Sequence, residues 1–225
     1  MVKKVLHAAL ALIVGLGMTA QVAADVGPTL DDLLGTGASV TVGDKIFSNW
    51  QLLPDSVTSP IDWSKVYIYP LDNDPLNPGL RFETSEWSGD STSNFSFFIS
   101  FNVATADGSA RIKDASLEFI NIQYETGSTG DLESYLSGVE LVTDDFLFDI
   151  GLSYPSSPAQ FVAATFEPVS SMSVLWGVLS AMQSGSASIQ RLDIRISQVP
   201  EPTTLLLFGL GLAGLGAVRR KKLAA

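Results

Sequence analysis

Asn94-Phe95-Ser96-Phe97-Phe98-Ile99-Ser100-Phe101-Asn102-Val103 sets Phe95, Phe97, Ile99, Phe101 and Val103 at every second position, with mostly polar residues between them. Successive side chains of an extended chain point to opposite faces, so a period of two puts one face in a core and the other in water. The same period returns in Phe146, Phe148, Ile150, Leu152 and Tyr154, and again in Leu192, Ile194 and Ile196. Less regular strands are expected over residues 40–47, 66–69, 80–84, 111–124 and 138–143. Turn-forming runs separate them, among them Leu71-Asp72-Asn73-Asp74-Pro75-Leu76-Asn77-Pro78-Gly79 and Glu125-Thr126-Gly127-Ser128-Thr129-Gly130. Many short strands broken by Gly, Pro, Asn and Asp predict an all-β fold, an antiparallel β-sandwich of jelly-roll-like or Ig-like type. One short helix is expected over residues 29–34, capped by Thr29 and ended by Gly35. Residues 171–182 also fit a helical face through Val174, Leu175, Val178 and Leu179, and are read as a strand. No internal repeat or low-complexity segment is visible.

The two ends follow other rules. Lys3 and Lys4 precede an apolar run over residues 5–18, interrupted only by His7, and Val22 and Ala24 stand before Asp25. A charged start, an apolar middle and small residues at the cut predict a signal peptide over residues 1–24, cleaved by signal peptidase between Ala24 and Asp25. The alternative, an uncleaved anchor, would need a longer apolar run. At the other end Pro200-Glu201-Pro202 is followed by sixteen uncharged residues, 203–218, and then by Arg219, Arg220, Lys221 and Lys222. As a helix those sixteen residues would be roughly 24 Å long, a thin membrane span. Four cations stop translocation and stay cytoplasmic, which puts the preceding chain outside the inner membrane.

Pro200, Glu201, Pro202, the Leu/Gly-rich run and the basic end resemble, over residues 200–225, the PEP-CTERM sorting signal of Gram-negative bacteria. The resemblance implies a membrane-embedded exosortase that recognises the tail, cleaves near Pro-Glu-Pro and delivers the body to the cell surface or extracellular matrix. It further implies transient residence at the inner membrane and an association with exopolysaccharide and biofilm. Gly209, Gly211, Gly214 and Gly216 lower helix stability by up to ~1 kcal/mol each, which suits a helix that a protease must open. Small residues also serve ordinary helix packing, so a permanent single-span anchor stays as the alternative. Residues 37–50 look loosely like the start of other PEP-CTERM bodies and name no activity.

Setting the ends aside changes the charge of the body, residues 25–199. Six of the 13 basic residues but only one of the 24 acids, Glu201, lie outside it, leaving seven cations against 23 acids and a formal charge of −16. Such a surface repels nucleic acid and anionic lipid, so neither is an expected partner. The chain has no cysteine, and its single histidine, His7, lies in the signal. A mature body with neither residue cannot by itself run Ser-His-Asp or cysteine hydrolysis or hold a His-ligated or Cys-ligated metal. No phosphate loop or dinucleotide turn occurs in it.

The expected function is therefore non-catalytic: an exported surface or matrix protein, sorted through its tail, with no cofactor required. Two alternatives use the acids. A secreted glycan hydrolase would need a carboxylate pair such as Glu83 with Glu86 or Asp144 with Asp149. A calcium-dependent carbohydrate-binding module would gather oxygen ligands, for which the Asp72-Asn73-Asp74 turn is the candidate, though it lacks the glycine and distal glutamate of an EF-hand. Trp50, Trp63, Trp87, Trp176, Tyr67 and Tyr69 are weighed as sugar-stacking rings against ordinary core packing. Asn94-Phe95-Ser96 is a glycosylation sequon on paper and is read as the edge of a strand.

Overall fold

The computed structural model describes residues 27–53, 57–58, 60–106, 111–155 and 160–199. The signal-peptide junction at Ala24 and Asp25, the Pro200–Glu201–Pro202 motif, the expected span and the basic end lie outside them. Among the described residues the chain forms one α-helix of four residues, α1 (Leu30–Leu33), then β1 (Val40–Val42), β2 (Lys45–Leu52), a 3-10 turn (Trp63–Lys65), β3 (Tyr67–Leu71), β4 (Gly79–Glu83), β5 (Ser88–Asp90) and β6 (Ser96–Thr105). It continues through β7 (Arg111–Tyr124), β8 (Thr129–Glu140), β9 (Phe146–Tyr154), β10 (Phe161–Val169), β11 (Ser171–Ser184) and β12 (Ser186–Val199). Two antiparallel sheets result. The first runs β1-β2-β6-β11-β8-β9; the second runs β10-β7-β12-β4-β3, with β5 also on β12. They pack face to face as the expected sandwich.

The decisive stretch behaves as its period dictates. Along β6 every second residue is buried, from Phe97 to Thr105. Opposite it on β11, Met172, Val174, Trp176 and Val178 point the same way, so residues 171–182 are strand, not helix. Pairing between β6 and β8 on both sides buries the backbone of β11 in the sheet's middle. From the second sheet Leu80, Phe82, Leu117, Phe119, Leu192, Ile194 and Ile196 close the same cluster. Phe82 stands 4.2 Å from Trp176 and Trp50 stacks on Phe101 at 4.6 Å between ring centroids. Trp50 reaches that position through a bulge: Asn49 takes a left-handed φ of 55°, and the β2–β6 register shifts between Ser48 and Gln51.

Several boundaries differ from the sequence expectation. Residues 40–47 are two strands, because Gly43, at φ +58°, turns the chain back after Val42. The strand expected at 138–143 starts at Thr129 and ends at Glu140, and residues 141–143 form a turn. Phe146, read as inward, is exposed, since it opens β9 beside that turn where the β8–β9 register shifts. β5 and β10 were not expected. β5 has no apolar residue to mark it, and β10 is an edge strand, where Pro168 is tolerated and the apolar alternation is weak.

Candidate functional site

On the outer face of the first sheet, Phe98, Gly177, Tyr135 and Gly151 stand in one row across β6, β11, β8 and β9. The two glycines make room for the two rings. A Cβ on Gly177 would lie 2.4 Å from Phe98 Cδ1, and one on Gly151 would lie 3.0 Å from Tyr135 Cδ1. Each ring therefore leans across the neighbouring strand rather than standing away from the sheet. Tyr135 stays 37% exposed and Phe98 is half-buried. Two strand spacings separate them, about 10 Å. Leu175 and Leu179, half-buried on β11, extend the apolar surface to either side of Gly177.

Acids and hydroxyls border the rings. Tyr135 donates its hydroxyl to the Glu133 carboxylate, and this bond, with burial and the nearby charges of Asp149 and Asp131, pushes the phenol up to about 12. The phenol thus stays protonated and keeps donating at any ordinary pH. Ser100 and Ser137 face Leu175 from the two sides, and Ser153 lies opposite Glu133. A flat apolar strip with carboxylate acceptors beside it suits a pyranose, whose C–H face stacks on aromatic rings while its hydroxyls donate charge-assisted hydrogen bonds.

A concavity of about 450 Å³ opens elsewhere, where β5, β7 and the start of β12 meet, lined by Ser88, Asp90, Ser93, Gln123, Tyr124 and Glu125 among others. Its acids are held by the protein itself. Asp90 Oδ1 accepts from Thr92 N–H, Thr92 Oγ1 and Ser93 N–H at 2.7, 2.7 and 2.8 Å, which lowers its pKa to about 2. Glu125 accepts from Ser186 Oγ at 3.2 Å. A carboxylate lowered in the folded state adds stability above its unfolded pKa, about 4, and loses it as pH falls through the folded value. Thermal melts of the native chain and Asp90→Ala between pH 6 and pH 1.5 are expected to differ most above pH 4 and to converge toward pH 2. Parallel curves would remove this role.

The residues singled out from sequence are scattered. Trp50, Trp87 and Trp176 are buried in the core, which rules them out as sugar-stacking rings. Trp63 is half-buried edge-on against Phe97 at 5.2 Å, and Tyr67 and Tyr69 lie half-buried along the edge strand β3. Glu83 pairs with Arg191 at 3.0 Å and Glu86 with Lys65 at 3.6 Å, so the two carboxylates turn to different cations. Asp144 sits in the β8–β9 turn at φ 59°, and Asp149 projects from the middle of β9. In the Asp72-Asn73-Asp74 turn, Asp74 Oδ1 accepts from Leu76 N–H at 3.1 Å and Asn73 Oδ1 accepts from the Arg195 guanidinium at 3.3 Å. A guanidinium there competes with any metal ion for the Asn73 oxygen, and among the described residues no group of three or more His, Cys, Asp or Glu gathers as a metal site. The sequon asparagine extends the β6–β11 ladder instead: Asn94 exchanges hydrogen bonds with the Met182 backbone at 2.7 and 3.0 Å.

Phe98 and Tyr135 went unnoticed in the sequence. The available signal was an aromatic in a slot that the alternation assigns to solvent: Phe98 between inward Phe97 and Ile99, and Tyr135 between buried Ser134 and Leu136.

β12 runs to Val199, and residues 198–221 match the family model of the PEP-CTERM protein-sorting motif. The chain carries a PEP-CTERM sorting signal. That signal marks export and sorting or anchoring through the C-terminus, and it begins where the last strand ends. No curated protein matches the chain. Among solved structures it is similar to the carbohydrate-binding module TmCBM61 in complex with β-1,4-galactotriose, at 9% identity and a TM-score of 0.31, covering 65% of this chain and 88% of that one. It is also similar to the mannan-recognising module TmCBM27, at 10% identity and a TM-score of 0.33, covering 68% and 90%. A glycosylation-associated protein complex from Streptococcus agalactiae gives 14% identity and a TM-score of 0.25, covering 72% and 27%. At these scores the three likenesses bear on neither ligand nor mechanism.

Proposed function

We propose that this PEP-CTERM chain is an exported surface or matrix protein, cut by signal peptidase after Ala24 and by an exosortase near Pro200–Pro202, whose body holds exopolysaccharide without altering it. The observation that carries this reading is the sorting signal joined directly to β12. Its product is a body without histidine or cysteine, which favours binding over catalysis. The Phe98–Tyr135 strip supports a glycan as the ligand, and its acidic border, on a body of formal charge −16, favours a neutral glycan over a uronate-rich one. No metal is required for stacking and hydrogen bonding of this kind.

Deleting residues 200–225 is expected to remove the protein from the cell-surface and matrix fraction, as read by fractionation and immunoblotting. An unchanged distribution would remove the sorting role of the tail.

A further inference from the structure

One end of the sandwich gathers most of the exposed apolar residues, and it is the end from which the sorting tail departs. Val199 pairs with Arg111 and Gln198 with Ile112, which also pairs with Val169 at the close of β10. Two residues on, β11 begins at Ser171, whose carbonyl accepts from Leu141 N–H at 3.5 Å, and Met172 pairs with Glu140. The β8–β9 turn therefore lies at the same end as Val199. So does the 71–79 loop. Gln198 donates its backbone N–H to Leu76 O at 3.1 Å and its side-chain amide to Pro75 O at 3.2 Å, while its Oε1 accepts from Lys45 Nζ at 2.6 Å.

Among the described residues six large hydrophobics are exposed, and four are here: Leu76 at 52%, Leu141 at 43%, Val142 at 76% and Phe146 at 67%. After Val199 come only Pro200-Glu201-Pro202 before the uncharged run of residues 203–218 and its four cations. We propose that this end is a membrane-contact surface: while the tail is anchored, Leu76, Leu141, Val142 and Phe146 rest in the headgroup region of the bilayer. The length of chain decides the occupant: with three residues between the end of β12 and the expected span, the bilayer is the first surface this end meets. Asp72, Asp74, Asp144 and Asp145 around the patch select uncharged headgroups over anionic ones. A patch this small binds lipid weakly alone, and the tether supplies the effective concentration that populates the contact. Cleavage of the tail then removes the tether and frees the body.

The chain has no cysteine, so single cysteines report position cleanly. The full chain carrying Val142→Cys, Leu76→Cys or, as control, Ser137→Cys is labelled with a polarity-sensitive fluorophore and reconstituted in phosphatidylcholine vesicles. Labels at 142 and 76 are expected to shift to the blue and to be quenched by lipid-borne quenchers, with the label at 137 unchanged. Adding Val142→Asp and Phe146→Asp should remove at least half the shift at 76, with melting temperature retained. Chain that floats with the vesicles but shows equal spectra at 142 and 137 overturns the proposal, as does chain that does not float. A shift seen instead in the tailless body, growing with its concentration, would assign the patch to a second copy and equally overturn it.

Discussion

Trp176→Ala is expected to lower the melting temperature of the body by on the order of 10 °C, from the ~3–5 kcal/mol that truncating a buried Trp costs and ~2–4 °C per kcal/mol in a chain of this size. Trp176 is fully buried in the central strand β11. Its ring meets Phe82 at 4.2 Å, Phe97 at 5.4 Å and Trp87 at 5.6 Å between centroids, so it is the hinge of contact between the two sheets. Truncation opens a cavity bordered by β4, β6 and the Trp87 segment before β5, which would all have to move to fill it. It also deprives Ser134 Oγ of the Trp176 indole N–H at 3.2 Å, although Ser134 keeps its own bond to Gly177 O at 2.9 Å. Trp176→Phe should lose less, since most of the ring contact survives. A shift under 2 °C for Trp176→Ala, by scanning calorimetry, would contradict this packing.

The second large effect falls on binding. Replacing Phe98 and Tyr135 together by alanine is expected to weaken association with neutral glycan about a hundredfold, taking about tenfold, or 1.4 kcal/mol, for each ring. Both rings lie on the outer face, so the loss should come with a melting shift smaller than that of Trp176→Ala. Tyr135→Phe isolates the hydroxyl. It keeps the stacking surface, removes the donor to Glu133, and should weaken binding by less than Tyr135→Ala. Gly177→Val attacks the same surface from below, because its Cβ would meet the Phe98 ring at 2.4 Å, and at 2.8 Å from Phe97 O it should also lower the melting temperature. Calorimetric titration with neutral oligosaccharides checks all four variants. Equal affinity for the native and doubly substituted chains would move the ligand elsewhere or remove it.

How much of this was legible in the sequence depended on whether a residue's environment repeats along the chain. β6, β9 and β12 announced themselves through alternating Phe, Ile and Leu, because a half-buried strand stamps its period on the sequence. Residues 111–124 coincide with β7 even though Asn121 takes a left-handed φ of 60° within it. β5 and β10 left no such mark: one is Ser-Gly-Asp, the other an edge strand without a fully buried face. The proposed binding face was illegible for a different reason. It is a row across four strands, Phe98–Gly177–Tyr135–Gly151, whose members stand far apart in sequence and meet only through register. Tryptophans drew the eye instead, and burial claimed three of them because a large ring is most favourable where it excludes the most water. Of the acids paired in sequence, Glu83 and Glu86 each meet a separate cation, Arg191 and Lys65, which only the fold brings near them. Only the tail could be read directly, because its recognition depends on linear order rather than on folding.

Intact-mass analysis of the protein eluted from the host's extracellular polysaccharide fraction tests the proposed function most directly. The expected species begins at Asp25, ends near Pro200–Pro202 and is recovered with the polysaccharide. A chain found only in the membrane fraction, with residues 203–225 still attached, would contradict it.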